Sequence, residues 1–495
     1  MNIGRLRKSL IEKRETDPML KALFVLAGDS LVYLAGTAMI GLGNFILVPL
    51  YTRYLTPAEF GVYALVDVTI LIFVMVSQFG FGVSYLKWFA DIGQSRRGEL
   101  LGSTLTVGIV AAAIGGGLLA AGVASPIGEQ WLQTVERGFA WILVPIVMLE
   151  NAQGLMFTDL RARRQPLAFS TAAVLRLLAI VGASLWFIIA QKQGVVGVFL
   201  GRLVGDSVGV LLLGIFCLRS TIPRITWAII MPMIRYGLPL VWSALVGMML
   251  DASGRYFLSH YSTMEQVGFY GAAIKIAGIF QMLITQPFGV AWGGLMFQIV
   301  NWPQARMVYS KILAYVFILS MAAALILALF TQTWFAIFAT AAYAPAMAVF
   351  PLILLVRAVN IMEYPTAIGI YLAGKTRWFA LIYSIGLGLN VLMNYFLVPS
   401  HGMYGAGWAW LASWGVIAGL MAWIGQRYYP LHYNWSLFLI PIILWGIVLL
   451  GEHSFTTLQA NLYWPTRIAL ALIVIIGVGA VLVKDFWINQ KQVTW

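Results

Sequence analysis

A stretch of forty residues occurs twice in this chain. Residues Asn44 to Val83 fall on residues Asp251 to Val290 without a gap at an offset of 207 positions. Ten of the forty positions are then identical, among them Tyr54/Tyr261, Thr56/Thr263, Gly61/Gly268, Tyr63/Tyr270 and Gly82/Gly289. Further on, Gly194-Val-Val-Gly197 falls on Gly402-Met-Tyr-Gly405 at an offset of 208, followed by Leu203/Leu411, Val208/Val416 and Leu212/Leu420. A chain written twice folds into two related halves. In an apolar chain, such symmetry marks a transporter whose halves move against each other.

The chain is apolar indeed. Its 495 residues are 61% hydrophobic and only 10% charged, with a mean hydropathy of +0.88, which excludes a soluble domain. Apolar windows give fourteen spans, near 29–50, 60–80, 100–123, 139–158, 167–190, 195–217, 236–258, 267–291, 308–330, 346–372, 378–398, 403–425, 435–450 and 465–483. Of the 31 Lys and Arg, 22 lie in the tail and in alternate loops on one side, four in loops on the other and five inside spans. The positive-inside rule then places both ends in the cytoplasm. The basic start (Arg5, Arg7, Lys8, Lys13, Arg14, Lys21) reads as a retained tail before the first span, not a cleaved leader. Six spans separate the repeats, so both halves share one orientation. The expected fold is an all-α membrane protein of about 14 transmembrane helices, with two pseudo-symmetric six-helix lobes plus two C-terminal helices. The parts are a basic tail at 1–28, an N-lobe at 29–220, a C-lobe at 221–427, and two last helices with a cytoplasmic tail at 428–495.

Several chemistries are absent. Cys217 is the only cysteine, the four histidines have no ligand spacing, and no phosphate-cradling glycine loop is present. No cofactor or metal is implied. The net charge of +13 follows topology and does not indicate nucleic acid.

Charges inside spans need an account, since each costs roughly 2.5–3.5 kcal/mol at the helix centre on insertion scales. Glu150 and Arg357 fall near mid-span and correspond at offset 207; Asp67 and Lys275 form a similar near-pair in spans two and eight. Glu363 follows Arg357 in span ten. Two arrangements admit a purely structural explanation: Arg202 with Asp206, and Asp251 with Arg255, are four apart and can neutralise each other along one helix face. Arg176 can snorkel to an interface. Lys275, Arg357 and Glu150 have no such neighbour. On charge and depth, the cations Arg176, Arg202, Arg255, Lys275 and Arg357 are expected to bind an anionic substrate, and Asp67, Glu150, Asp251 and Glu363 to couple an ion such as H+ or Na+. Small residues four apart, at Gly197, Gly201, Gly205 and Gly209 and again at Gly405, Ala409 and Ser413, predict close helix packing within each lobe. Trp408, Trp410 and Trp414 read as interfacial or lipid-facing before they read as sugar platforms.

The motifs resemble a known family. Tyr54-Leu-Thr-Pro-Ala-Glu-Phe-Gly61-Val-Tyr63 is similar to the L-x-P-x-E-[YF]-G-x-Y element of Wzx-like polysaccharide flippases, members of the multidrug/oligosaccharidyl-lipid/polysaccharide (MOP) exporter superfamily. Arg235-Tyr-Gly-Leu-Pro239, Val267-Gly-Phe-Tyr270-Gly-Ala-Ala, Leu389-Asn390-Val-Leu-Met-Asn394 and Val398-Pro399 resemble its later elements, in order. The resemblance implies two rocking lobes that carry an undecaprenyl-diphosphate-linked oligosaccharide, an O-antigen or exopolysaccharide repeat unit, across the bacterial cytoplasmic (inner) membrane. Polymerase and chain-length proteins of the same pathway would be partners. Sibling readings are a lipid II flippase or a MATE-like drug exporter; a different class is a membrane polymerase or ligase. Short outer loops leave a catalytic domain little room, and buried cations suit cationic drugs poorly, so the chain is expected not to be an enzyme.

Overall fold

The repeated Thr-x-x-[Glu/Gln] proves to be a helix start. In the computed structural model of the chain, Glu59 Oε2 accepts the Thr56 backbone N–H at 2.9 Å, and the Glu59 N–H donates to Thr56 Oγ1 at 3.3 Å. This reciprocal capping box satisfies two amides that the first turn leaves open, and Pro57 sits at the position where no N–H is needed. In the second copy Thr263 Oγ1 accepts from Gln266 N–H at 3.3 Å, but the Gln266 side-chain carbonyl instead accepts Met403 N–H at 3.2 Å. Replacing the first cap by Thr56→Ala is expected to cost about 1 kcal/mol. The cost would be read as a lower thermal midpoint of the detergent-solubilised chain; an unchanged midpoint would deny the cap its role.

The structure describes residues 45–126, 128, 137–218, 221–222, 224–302, 304–431, 435–450 and 464–493. Among these residues there are helices, turns and no strand. The helices are α1 (45–54), α2 (Pro57–Ser77), α3 (Phe81–Asp91), α4 (Arg97–Val123), α5 (Leu143–Ala162) and α6 (Pro166–Leu185). There follow α7 (Gly194–Cys217), α8 (Trp227–Tyr261), α9 (Met264–Phe280), α10 (Gln286–Ile299), α11 (Ala305–Leu329) and α12 (Thr331–Phe338). The last are α13 (Ala346–Asn360), α14 (Glu363–Thr366), α15 (Ile368–Leu372), α16 (Arg377–Tyr428), α17 (Trp435–Leu450) and α18 (Trp464–Val493). Ten of the helical stretches are long and apolar enough to cross a membrane. One of them, α16, holds the eleventh and twelfth expected spans, merged across a kink at Gly402. Shorter apolar helices at Leu437–Gly446 and Pro465–Ala480 stand where the last two were expected. Most of the first expected span, and the basic tail before it, lie outside the described residues. The chain is thus an all-α, multi-pass membrane protein.

The repeat is visible in the backbone as well. Gly402 has φ 53° and ψ −132°, and its counterpart Gly194 has φ 50°. This left-handed turn suits a residue without Cβ, which is why the shared Gly-x-x-Gly begins there. Spans two and eight both break at matching places by different means. Between α2 and α3 the chain turns through Phe79 and Gly80 with φ 48° and 76°; between α9 and α10 a π-helical turn, Gln281–Thr285, precedes Pro287. A proline removes an amide from the ladder, and the π turn accommodates the loss.

Within the described residues, packing divides the chain into two units: one from 73–125 and 137–241, the other from 45–72, 126, 128 and 242–493. In the first unit, α7 lies against α6 through the predicted ladder. A Cβ on Gly201 would meet Ser184 Cα at 2.7 Å, and one on Gly205 would meet Ile180 N at 2.9 Å. In the second unit the counterpart residues Ala409 and Ser413 are fully buried, and Gly405 lies on the carbonyl of Leu397. The second unit's core collects α9, α11, α13 and the second half of α16 around Phe280, Phe350 and Trp410.

Candidate functional site

The helices bring the in-span charges together into one cluster in each unit. In the first unit, Glu150 on α5 receives Arg202 of α7 at 2.5 Å, and Asp206 receives Arg176 of α6 at 2.7 Å. Arg176 also approaches Glu150 at 3.7 Å, while the four-apart pair Arg202–Asp206 is stretched to 4.0 Å. Gln153 donates to the Asp206 backbone carbonyl at 2.9 Å, and the Asp206 side chain is 0% exposed. Two cations and two carboxylates therefore interlock across three helices. Arg176 is held by Asp206 and not turned to an interface.

In the second unit, Lys275 of α9 reaches Asp67 of α2 at 2.8 Å and donates to the Tyr63 hydroxyl at 3.2 Å. Asp251 of α8 does not pair with Arg255 on its own helix. It takes Arg357 of α13 at 3.4 Å, while Trp410 Nε1 donates to its other oxygen at 3.1 Å. The Arg357 guanidinium lies 4.8 Å from the Trp410 ring centroid. Glu363 accepts a hydrogen bond from Tyr383. It sits in α14, where Pro365 and the turns around it break span ten into short pieces. Nearby, Ser253 bonds Asn390, which in turn is bonded by Asn394 at 2.9 Å.

The two clusters occupy equivalent places in the repeat. Offsets of 207 and 208 put Arg357, Tyr383 and Trp410 where Glu150, Arg176 and Arg202 stand. At these matched positions one half sets an arginine against a carboxylate, and the other sets an arginine against an indole, with Asp251 reaching it from α8. Among the described residues no group of three or more His, Cys, Asp or Glu side chains is placed to hold a metal ion.

Residues 26–300 match the family described as polysaccharide biosynthesis protein, a span of more than half the chain. The chain belongs to that family. No curated protein matches it by sequence. Among solved structures, this polysaccharide biosynthesis protein is similar to the lipid II flippase MurJ in an inward closed conformation, with 10% identity, a TM-score of 0.69, and coverage of 92% of this chain and 99% of that one. It is also similar to an inward-facing multidrug resistance MATE transporter of the MOP superfamily, with 14% identity, a TM-score of 0.61, and coverage of 81% and 94%. Its fold is that of MOP-superfamily transporters.

Several side chains of this family member escaped the sequence reading. Trp410 and Trp414 are not lipid-facing; they are 2% and 5% exposed, and Trp414 meets the Tyr383 ring edge-on at 6.2 Å. Trp408 remains exposed. Gln153 and Tyr383 carry no charge, so depth alone gave no reason to single them out, and Tyr63 stood out only as a repeat identity, not as the partner of Lys275. For Trp410 and Tyr383 the signal was the repeat itself, which aligns them with Arg202 and Arg176.

Proposed function

We propose that this protein is a flippase for an undecaprenyl-diphosphate-linked oligosaccharide, an O-antigen or exopolysaccharide repeat unit, moved from the inner to the outer leaflet of the bacterial cytoplasmic membrane. The lobes read at 29–220 and 221–427 alternate access to the cargo, both termini lie in the cytoplasm, and an H+ or Na+ gradient resets the carrier through Asp67, Glu150, Asp251 or Glu363. Polymerase and chain-length proteins act on the delivered unit, and the chain itself makes and breaks no covalent bond.

The observation that carries this reading is the pair of charge clusters inside otherwise apolar helices. Ionisable groups at such depth are retained where a transported species passes. Cations among them suit a diphosphate. An apolar cavity of about 330 Å³ between α11, α17 and α18, lined by Met321, Leu325, Leu444, Ile473 and Val474, offers hydrocarbon surface suited to a prenyl chain. A second reading, carriage of lipid II, has the fold likeness behind it, and both cargos share the same lipid diphosphate.

Deleting the gene is expected to strip the host of one surface glycan, with its lipid-linked precursor accumulating on the cytoplasmic side and the wild-type chain restoring export. Accumulated lipid II in place of a polysaccharide repeat unit would favour the second reading. Unchanged export of every lipid-linked glycan would remove the flippase reading altogether.

A further inference from the structure

The membrane face where α16 begins and ends carries cations that lie outside both charge clusters. Helix α16 turns back at Gly402, so its two spans start and finish on the same face, where Trp378 Nε1 donates to the Tyr428 hydroxyl at 3.0 Å. Arg377 and Arg427 adjoin these two residues in the chain, Lys375 precedes Arg377 by two places, and all three are exposed. The Arg427 guanidinium lies 3.9 Å from the centroid of the Trp423 ring, which is 56% exposed. On α11, exposed Arg306 reaches the same end of the unit, 5.4 Å from the Tyr429 ring centroid. From Tyr364 to Leu431 the chain contains no Asp or Glu, and the ion pairs of the second unit, Lys275–Asp67 and Arg357–Asp251, are made by in-span residues. Among the described residues none of these four cations has a carboxylate partner. The first unit treats equivalent ground differently. An offset of 207 puts Arg306 on Glu99, which pairs with Arg96 at 3.3 Å, and Asp159 holds Arg163 at 2.8 Å. Membrane topology asks only for cations on one side. It does not ask for an end free of carboxylates, with rings set against the guanidiniums.

Depth completes the pattern. Leu381 and Ile385, one and two turns beyond Arg377, are 49% and 45% exposed. Trp423 stands one turn inside Arg427, and its line continues through Gly419 and Gly415, where nothing lies within 4 Å of a Cβ position. Cations at the rim, a ring beneath them and open apolar surface below follow the order of phosphate, ester and acyl chain in a phospholipid. We infer that Arg306, Lys375, Arg377 and Arg427 form a headgroup site for an anionic phospholipid of the bilayer, a resident lipid distinct from the cargo. Guanidinium forks match phosphate oxygens, and stacking on Trp423 holds Arg427 extended for them. The acyl chain runs along the furrow that Gly419 and Gly415 leave beside Trp423. The bound lipid supplies the anion that this end of the unit lacks. Only the leaflet, the cytoplasmic one, rests on the topology proposed above; the residues and the ligand do not.

The test is binding of fluorescent phosphatidylglycerol and phosphatidylcholine of equal chain length to the full chain in a neutral detergent. The wild type is expected to prefer phosphatidylglycerol by about tenfold or more, since several basic residues each attract an anionic headgroup. Arg377→Gln with Arg427→Gln should erase most of that preference, and Arg377→Lys with Arg427→Lys should keep it, which separates lost charge from lost fold. Arg96→Gln, in the first unit, should leave it unchanged. Raising the salt should weaken phosphatidylglycerol binding and leave phosphatidylcholine binding as it was, a readout that needs no variant. A wild type without preference, equal salt dependence for both lipids, or equal loss in the lysine pair or in Arg96→Gln would each overturn the assignment. So would stronger displacement of phosphatidylglycerol by farnesyl diphosphate, which would give the site to the cargo, or by glycerol phosphate, which would make it a site for free phosphate. Export separates the two claims. If the wild type restores surface glycan but shows no headgroup preference, the lipid site falls and the flippase stands. If the preference holds and gene deletion leaves export of every glycan unchanged, the flippase reading falls and the lipid site stands.

Discussion

Asp206→Ala is expected to yield a chain that inserts poorly and unfolds far more easily than the wild type. The Asp206 carboxylate is fully buried and accepts both Nη2 and Nε of Arg176, at 2.7 and 2.8 Å. Without it, Arg176 has only Glu150 at 3.7 Å, and that carboxylate already holds Arg202 at 2.5 Å. Leaving one charge of a buried pair uncompensated costs about 3–5 kcal/mol. The Arg176 side chain is 20% exposed, so some solvent screening places the effect near the lower end. The check is the thermal midpoint and the monodisperse fraction of purified chain. The second variant decides the cause: Asp206→Ala with Arg176→Met removes both charges, and apolar packing of similar volume should recover most of the loss. A single variant as stable as the wild type, or a double variant no better than the single, would sink this account of the network.

That network shows which information the sequence held and which it lacked. Residue depth was legible, because an apolar run sets a span and a charged residue within it has a position along the axis. Same-helix neighbours were legible for the same reason, and they suggested Arg202 with Asp206 and Asp251 with Arg255. Partners on other helices were not. Glu150 lies 52 positions from Arg202, and Asp251 lies 106 from Arg357; their meeting depends on helix rotation and on which ridges interlock. The repeat read more deeply than its identities implied. Thr56 and Thr263 matched because each caps a helix, and Gly194 and Gly402 because each turns through positive φ. The aromatic half of the second cluster stayed hidden because tryptophan in a membrane chain most often sits at an interface. Only alignment of Trp410 with Arg202 gave it another meaning.

Gly268→Ala is expected to be the most damaging single methyl group that can be added at a described glycine of this chain. Gly61 and Gly268 are the same position of the repeat, and they meet each other where α2 crosses α9. A Cβ on Gly268 would overlap the Pro57 carbonyl oxygen and lie 3.1 Å from Gly61 N; one on Gly61 would overlap the Met264 carbonyl oxygen and lie 3.0 Å from Gly268 N. These are backbone atoms, so no side chain can swing aside, and overpacking of about 1–3 kcal/mol is a floor. The seam continues one turn on, where a Cβ on Gly271 would lie 2.7 Å from the Ala64 Cβ, and then through Lys275–Asp67 at 2.8 Å and Thr69–Tyr256 at 2.7 Å. Forcing the two helices apart at Gly268 therefore lengthens an ion pair as well as opening a packed surface, and both stability and glycan export should fall. Gly82→Ala is the control, since Gly82 is equally a repeat identity but has nothing within 4 Å of where its Cβ would lie. In a helix, alanine there is favourable by up to about 1 kcal/mol. If the two variants had the same midpoint, the glycine of the repeat would be inherited sequence and not a packing requirement. If Gly268→Ala alone is lost, the glycine stands in both copies of the repeat because α2 and α9 rest on each other through it.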